Sequence, residues 1–301
     1  MLNKQIRLFG EVLFDQFPDG QRVLGGAPFN VAWHLQAFGQ HPDFISRVGN
    51  DSEGLHIKQA MLSWGLSLEN LQTDPTLSTG SVQITVMDGE PCYDIVDNQA
   101  YDFISATELK GYSHSEGVLY HGSLALRHDV SAATFDKLLN EHLGKIFVDV
   151  NLRHPWWQIE RVIQLLDRAD WAKLSQDELR LLQPVSGSLT ETMRVFRKSH
   201  NLDVLMVTCG EQGAMAINKH NEFFEVVPAD NVSVVDTVGA GDAFSAVALL
   251  GMQHAWPVPL ILQRAQAFAS AMVGRQGATV QDLSFYQAYI HAWQLAHLIE
   301  D

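Results

Sequence analysis

The sequence has 301 residues, of which 35 are acidic and 20 basic, giving a formal net charge of −15. A chain of this length can bury a large hydrophobic core in one big α/β domain or two smaller ones. The acidic excess argues against a surface for nucleic acid or an anionic membrane, because such surfaces need clustered Lys and Arg.

The composition predicts no disulfide framework, cysteine-based zinc site or membrane segment. Cys92 and Cys209 are the only two cysteines and lie far apart, so a reduced, cytoplasmic setting is expected. The first residues lead straight into a strand without an apolar signal core. The longest apolar run, around 243–252, is too short to span a bilayer. The thirteen histidines form no metal-binding motif.

A first strand is predicted at residues 5–10. Residues 11–15 continue this strand, and a carboxylate, Asp15, stands at its end. A double glycine follows in Leu-Gly-Gly-Ala-Pro-Phe-Asn (24–30), and then a helical pattern to about Phe38. The glycines permit either a tight turn before a core helix or a close approach of the backbone to a polyol. In the second case Asn30 would supply a donor and acceptors.

A second strand is predicted at 43–48 and a helix to about Trp64. Two alternating stretches, 81–87 and 91–96, are joined by Asp-Gly-Glu, which is a hairpin signal. We expect a small β-sheet from these stretches, together with residues near 12–23. Composition cannot separate a lid over a ligand from an ordinary hairpin at a sheet edge.

From Gly117 onwards the pattern alternates between strand (118–122), helix (130–143) and strand (145–150). Such alternation predicts a parallel sheet with helices on both faces, and ligands beyond the carboxyl ends of its strands. Arg153 follows the last of these strands. Its guanidinium could donate a bidentate pair of hydrogen bonds to phosphate or substrate oxygens, or it could form a surface salt bridge.

The next elements are a strand at 170–174 and a helix whose start, Ser175 to Glu178, predicts a capping box. Residues 203–214 then predict a buried strand, a glycine turn and a second strand. A long apolar helix is expected at about 259–275, and a final amphipathic helix at 284–299.

The stretch 234–244, Val-Val-Asp-Thr-Val-Gly-Ala-Gly-Asp-Ala-Phe, predicts a strand end, a small-residue turn and a helix to about Gly251. The unpaired N–H groups at such a helix start suit an anion. Asp242 is then either a helix cap or a base that removes a proton from an attacking hydroxyl. Phe244 stands where a dinucleotide fingerprint needs its third glycine, which disfavours a Rossmann dehydrogenase.

Residues 234–244 resemble the C-terminal signature of the ribokinase/fructokinase (PfkB) family of sugar kinases, and residues 24–30 resemble its N-terminal signature. Three weaker matches lie between them in family order: Asp149-x-Asn151-x-Arg153, the segment from Lys173 to Glu178, and Thr208-x-Gly210-x-x-Gly213. Ser175 departs from the pattern, because the family usually has Asn there.

This resemblance covers almost the whole chain and implies a single domain, 1–301, with a three-layer α/β/α ribokinase-like fold and a mainly parallel central sheet. A small β-sheet lid would be built from about 12–24 and 80–100. The implied partners are a small sugar and a second copy of the chain through the lid, with no nucleic acid or membrane.

The resemblance also implies ATP-dependent phosphorylation of a sugar hydroxyl, with Mg²⁺ and a monovalent cation such as K⁺. Asp242 would be the base. The anion hole would be formed by Gly239, Ala240 and Gly241, and the sugar site by Asp15, Gly25, Gly26, Asn30 and Arg153. The nucleotide site would include Lys173, Glu178, Thr208, Gly210, Gly213, Gln266 and Gly277. Glu178 would also serve the magnesium ion, and Asp236 the monovalent cation.

Among substrates, fructose is favoured, because the Gly-Gly-Ala-Pro-Phe-Asn stretch and Asn-Leu-Arg with Trp nearby look most like fructokinases. 2-Keto-3-deoxygluconate is the alternative, since Arg153 would suit its carboxylate. A catalytically silent sugar sensor on the same fold is disfavoured by the intact Asp242.

Overall fold

The structure is a computed structural model that describes residues 5–87, 90–112, 115–183, 187–229 and 234–295. Its strands, in chain order, are β1 (Ile6–Phe9), β2 (Leu13–Gln16), β3 (Arg22–Gly25), β4 (Asp43–Gly49), β5 (Leu71–Asp74), β6 (Gly80–Met87), β7 (Glu90–Ile95), β8 (Val118–His121), β9 (Lys145–Asp149), β10 (Trp171–Ser175), β11 (Val204–Thr208), β12 (Ala214–Asn218) and β13 (Phe223–Val226). Its α-helices are α1 (Ala27–Ala37), α2 (Ser52–Ser63), α3 (Asp129–Glu141), α4 (Ile159–Leu166), α5 (Gln176–Leu182), α6 (Leu189–Ser199), α7 (Ala240–Gln253), α8 (Val258–Val273) and α9 (Leu283–Ala292).

The described residues form one large sheet in the order β13-β12-β11-β10-β9-β8-β1-β4-β5. Its strands are parallel except at one end, where β12 runs antiparallel to both of its neighbours, β11 and β13. Alternate side chains enter two separate cores, because successive residues of a strand point to opposite faces. In β9, for example, Phe147 packs with the core of α1, α7 and α8, whereas Ile146 and Val148 pack with that of α3 to α6. The predicted three-layer fold with a mainly parallel sheet is confirmed.

A second sheet has the order β3-β2-β6-β7 and lies within the two segments predicted for it. The β2–β3 and β6–β7 pairs are antiparallel, and β2 pairs with β6 in parallel. We call these four strands the small sheet. Its turn at 88–89 lies outside the described residues.

The prediction of one continuous strand through residues 5–15 is wrong. The chain leaves the large sheet after Phe9 and enters the small sheet at Leu13. At the crossover a Cβ on Gly10 would lie 2.3 Å from Pro28 Cγ, so the backbone passes directly against the start of α1. Both halves of the segment are apolar, which is why the pattern alone shows no break.

The last helix ends at Ala292, earlier than the predicted 299. Gln294 adopts a left-handed conformation with φ 58°. The N–H of Leu295 donates to Ile290 C=O and that of Gln294 to His291 C=O, at 2.9 and 3.2 Å. These two bonds form a Schellman motif, which terminates the helix. Residues 296–301 lie outside the described part.

Arg127 joins the small sheet to the body of the protein. Its guanidinium donates to both carboxylate oxygens of Asp102 at 2.8 Å and to the carbonyl of Val96, just after β7, at 2.6 Å. It also stacks on Trp156, 4.3 Å from the ring centroid. The two charged side chains are 1% and 0% exposed. Arg127 thus fixes the end of the small sheet against the loop that follows β9.

Arg127→Met is expected to lower the free energy of unfolding by about 3–5 kcal/mol, because it leaves Asp102 as an unpaired buried charge. Urea denaturation measures the change. Lys145→Met is the matched control, since Lys145 pairs with Asp170 while 53% exposed, and it should cost at most about 1 kcal/mol. Equal small losses in both variants would show that the Arg127 pair does not anchor the small sheet.

Candidate active site

A cleft of about 790 Å³ opens between the small sheet and the carboxyl edge of the large sheet. Its apolar wall comes from the small sheet and includes Leu13, Val23, Val82, Ile84 and Ile95. Its polar wall comes from the loops after β1 and β9 and from the start of α7. Ten residues that the sequence singled out line the cleft: Asp15, Gly26, Asn30, Arg153, Lys173, Asp236, Gly239, Gly241, Asp242 and Gly277.

The start of α7 is held by a glycine in a left-handed conformation. Gly239 is the N-cap residue with φ 77°. A Cβ at this position would lie 2.4 Å from the Cα of Ala278, so both the conformation and the packing require glycine. The N–H of Ala240 turns back to Thr237 C=O at 3.3 Å. Within the described residues, the N–H groups of Gly241 and Asp242 have no acceptor, which leaves two donors at the positive end of the helix.

Asp242 is joined to the first glycine-rich turn through Asn30. Asn30 Nδ2 donates to Asp242 Oδ2 at 2.8 Å across 212 positions of sequence. The pKa of Asp242 is raised to about 6, chiefly by burial and then by the neighbouring Asp149 carboxylate. The Asn30 hydrogen bond and the charges of Lys173 and Arg153 oppose that rise in pKa. A carboxylate with this pKa is well suited to take up a proton near neutral pH.

Lys173 supplies a positive charge beside the same helix start. Its ammonium donates to the two oxygens of Asp149 at 2.7 and 2.8 Å, and both side chains are buried. Asp149 also accepts from the hydroxyl groups of Ser245 and Tyr120. A Cβ on Gly241 would lie 3.5 Å from Lys173 Nζ, so the ammonium lies close under the free amide donors. Together they form a cradle for an anion such as phosphate.

Arg153 is exposed in the cleft and makes no salt bridge among the described residues. The expected alternative, a surface ion pair, is therefore not observed there. It lines the same cleft as Glu11, Asp15 and Asp242, and its charge opposes the rise in pKa that burial causes in these three carboxyl groups. Arg153 remains available to a ligand.

Glu178 caps its own helix rather than lining the cleft. One carboxylate oxygen accepts from the N–H and hydroxyl of Ser175 at 2.7 and 2.9 Å, which completes the predicted capping box. The other accepts from the N–H of Leu152 at 2.7 Å. Glu178 thereby fixes the loop that carries Arg153.

Asp236 also binds backbone groups, although it lies in the wall of the cleft. Its oxygens accept from the N–H groups of Val238 and Gly277, both at 2.9 Å. The carboxylate therefore joins the loop before α7 to the turn at Gly277, the two segments that flank the anion cradle.

The remaining predicted residues lie outside the wall of the cleft. Gly25 is in β3, where a Cβ would lie 3.7 Å from an Asp15 oxygen. Thr208 ends β11 beside Ser175, and the turn that follows it holds Gly210 and Gly213, both with positive φ. Gln266 is buried in α8 and donates to Ser270. Ala240 contributes its amide to the turn before α7, as described above.

A buried acidic residue of the cleft was not singled out from the sequence. Glu11 lies in the crossover between β1 and β2, lines the cleft and is 3% exposed. The available signal was an acidic residue directly after Gly10, at the end of the first predicted strand. Because residues 11–15 were predicted to continue the strand, only Asp15 at its end was selected.

The elevated pKa of Asp242 predicts that this carboxylate lowers stability at neutral pH. The folded-state pKa of about 6 exceeds the ordinary aspartate value of 3.8, so stability falls as pH rises between the two values and stays low above them. Asp242→Asn should therefore raise the free energy of unfolding by roughly 1–2 kcal/mol at pH 8 and by less at pH 5.

Urea denaturation at both pH values measures this effect. Asp94→Asn, at an exposed position of β7, is the control and should change stability by less than about 0.5 kcal/mol at either pH. A loss of stability in Asp242→Asn at pH 8 would indicate that the carboxylate serves mainly as a helix cap.

Comparison with known proteins identifies the family. The model of the pfkB family carbohydrate kinases matches residues 4–284. The fructokinase of Escherichia coli is 30% identical over 267 residues, covering 83% of this chain and 85% of that protein. The aminoimidazole riboside kinase of Salmonella typhimurium is 27% identical over 296 residues, covering 92% and 91%.

Structural comparison agrees on the fold. The fructokinase of Vibrio cholerae O395, in its fructose, ADP and calcium ion bound form, superposes with a TM-score of 0.82 at 22% identity, covering 95% of this chain and 99% of that one. No helix among the described residues is long and apolar enough to cross a membrane. The chain belongs to the pfkB family of carbohydrate kinases and is therefore a phosphotransferase.

Proposed function

We propose that this kinase transfers the terminal phosphoryl group of ATP to a hydroxyl of fructose. The observation that carries the proposal is the position of Asp242. Its carboxylate is oriented by Asn30 and lies at the start of α7, beside two free amide donors and Lys173. Arg153 and Asp15 lie in the same cleft, where a sugar has polar partners next to the base.

Each group has a separate part in this reaction. Asp242 takes the proton from the attacking hydroxyl, and Asn30 holds the carboxylate in the orientation that receives it. The amide groups of Gly241 and Asp242, with the Lys173 ammonium, face the charge that develops on the transferring phosphoryl group. Gly239 permits the tight turn before α7, and the amide of Ala240 closes that turn. Asp15, Gly25, Gly26 and Arg153 form the sugar side.

The donor set fits a nucleotide phosphate, because the cradle combines backbone amides with a lysine. The hairpin of Thr208, Gly210 and Gly213, with Gln266 and Gly277, would flank the rest of ATP. Mg²⁺, when bound, would neutralise charge on the phosphates. Glu178 would assist only through water, since both its oxygens already accept hydrogen bonds. Asp236 orders the loop where a monovalent cation such as K⁺ would bind.

Fructose is the preferred acceptor because the glycine-rich N-terminal stretch and the loop around Arg153 match fructokinases, and the E. coli fructokinase is 30% identical. The unpaired guanidinium of Arg153 supports 2-keto-3-deoxygluconate as a second candidate, since a substrate carboxylate would pair with it.

We further propose that residues 1–301 form one kinase domain in the cytoplasm, with the small sheet as a lid. Closing the lid would exclude water and protect ATP from hydrolysis. The outer part of this sheet would be the contact surface of a homodimer.

The acceptor is tested by measuring ADP release with fructose, ribose, glucose, 2-keto-3-deoxygluconate, aminoimidazole riboside and adenosine. We expect the highest kcat/KM for fructose, and a loss of kcat of at least about 10²-fold in Asp242→Asn, as for a missing general base. Asp94→Asn is the control and should retain wild-type rates. Similar low rates on every acceptor, or fructose binding without ADP release, would refute the fructokinase assignment. Full activity in Asp242→Asn would remove this residue from the role of base.

A further inference from the structure

Glu11 is a buried acidic side chain in the wall of the cleft that the mechanism above does not use. It is 3% exposed, and its Oε2 has no hydrogen-bond partner within the described residues. An unsatisfied carboxyl oxygen in the interior is costly, because the group has lost its hydration without gaining a protein partner. The fold therefore keeps an unfavourable group at the edge of its functional site.

The surroundings of Glu11 place it on the sugar side of the cleft. A Cβ on Gly26 would lie 2.7 Å from the Glu11 carbonyl oxygen, so the glycine-rich turn packs directly on this residue. The charges of Arg153 and Asp242 both act on its carboxyl group, the first lowering and the second raising its pKa. Glu11 therefore shares the cleft with Arg153 and Asp242.

We propose that Glu11 is a specificity-determining residue whose carboxyl group binds a hydroxyl of the acceptor sugar, next to the hydroxyl that Asp242 deprotonates. The inference rests on the proposed sugar kinase activity and extends it by one residue. A polyol suits this position, since each hydroxyl is both a donor and an acceptor and would satisfy the orphaned oxygen.

The protonation of Glu11 agrees with such a role. Burial raises its pKa to about 7, although its own N–H and that of Ala27 act in the opposite direction. Near neutral pH the group is therefore available in both forms. The ionised form accepts a hydrogen bond from a sugar hydroxyl, and the neutral form can also donate one.

A purely structural role makes a different prediction. Glu11 faces the N–H of Ala27, the first residue of α1, and that helix has no side-chain cap. If Glu11 only stabilised the helix start, its removal would lower stability and leave the affinity for sugar unchanged. If it binds the sugar, the change should appear in the acceptor KM.

The test measures KM for ATP and for fructose, or for the acceptor that the wild type uses best, in Glu11→Ala and Glu11→Gln. We expect Glu11→Ala to raise the acceptor KM at least about tenfold, the effect of losing one hydrogen bond from a buried group, with the ATP KM within about twofold. Glu11→Gln keeps a donor and an acceptor, so its acceptor KM should stay within about threefold of the wild type. Its melting temperature should equal or exceed that of the wild type.

Asp43→Asn is the matched control for loss of a buried carboxylate. Asp43 is 5% exposed and accepts from Arg7 and Asn70 at the amino end of β4, the edge opposite the cleft. This variant should melt at a lower temperature with an unchanged acceptor KM. If Glu11→Ala does not fold, Glu11→Asp, which retracts the carboxyl by one methylene, should likewise raise the acceptor KM alone.

An unchanged acceptor KM in folded Glu11→Ala or Glu11→Asp would overturn the inference, as would a rise in the ATP KM equal to that of the acceptor. A lower melting temperature of Glu11→Ala with unchanged KM values would assign Glu11 to the helix cap. A wild type that phosphorylates none of the acceptors would instead reject the proposed function itself, so the two failures are distinguishable.

Discussion

The 2.8 Å hydrogen bond between Asn30 and Asp242 is the contact on which the site depends. It joins α1 to α7, and these two helices also pack together in one core through Phe29, Trp33 and Ala246. The same stretch of α1 holds the segment behind the anion cradle: His34 bonds Ala278 C=O at 3.1 Å, and Trp33 bonds Val280 C=O at 3.0 Å. Ala278 in turn packs against Gly239. One helix therefore positions both the Asp242 carboxylate and the turn that exposes the amide donors.

The buried carboxyl groups of the cleft are electrostatically unfavourable, and other parts of the fold supply the stability that offsets them. Glu11, Asp15 and Asp242 all have raised pKa values, chiefly because of burial. Among the described residues that line the cleft, Arg153 opposes the rise in all three pKa values, whereas Lys173 is already paired with Asp149. Such concentrations of perturbed carboxyl groups are typical of functional sites, where ligand groups supply the missing partners. The compensating stability comes from the two apolar cores on either face of the large sheet.

Much of this arrangement could be predicted from sequence. The alternation of apolar segments after Gly117 predicted the parallel sheet, and the Gly-Ala-Gly-Asp stretch predicted the turn and the helix start at α7. The crossover at Gly10 could not be predicted, because both flanking segments are equally apolar and only the contact with Pro28 separates them. The same holds for Glu178: the capping box was visible locally, but its bond to Leu152 depends on how β9 and β10 lie side by side. Glu11 and Arg127 interact with residues that are distant in sequence. The pattern of a single sequence does not indicate which residues those are.

The pH dependence of kcat/KM for the acceptor in the wild type and in Asn30→Ala tests the central claim most directly, since it reports the ionisation of the base in the free enzyme. The wild type should lose activity below an apparent pKa of about 6. Asn30 lowers the pKa of Asp242, so its removal should move that acidic limb to higher pH while activity at high pH is partly retained. An acidic limb at the same pH in both enzymes would contradict the account, because the group that titrates would then not be the carboxylate that Asn30 holds.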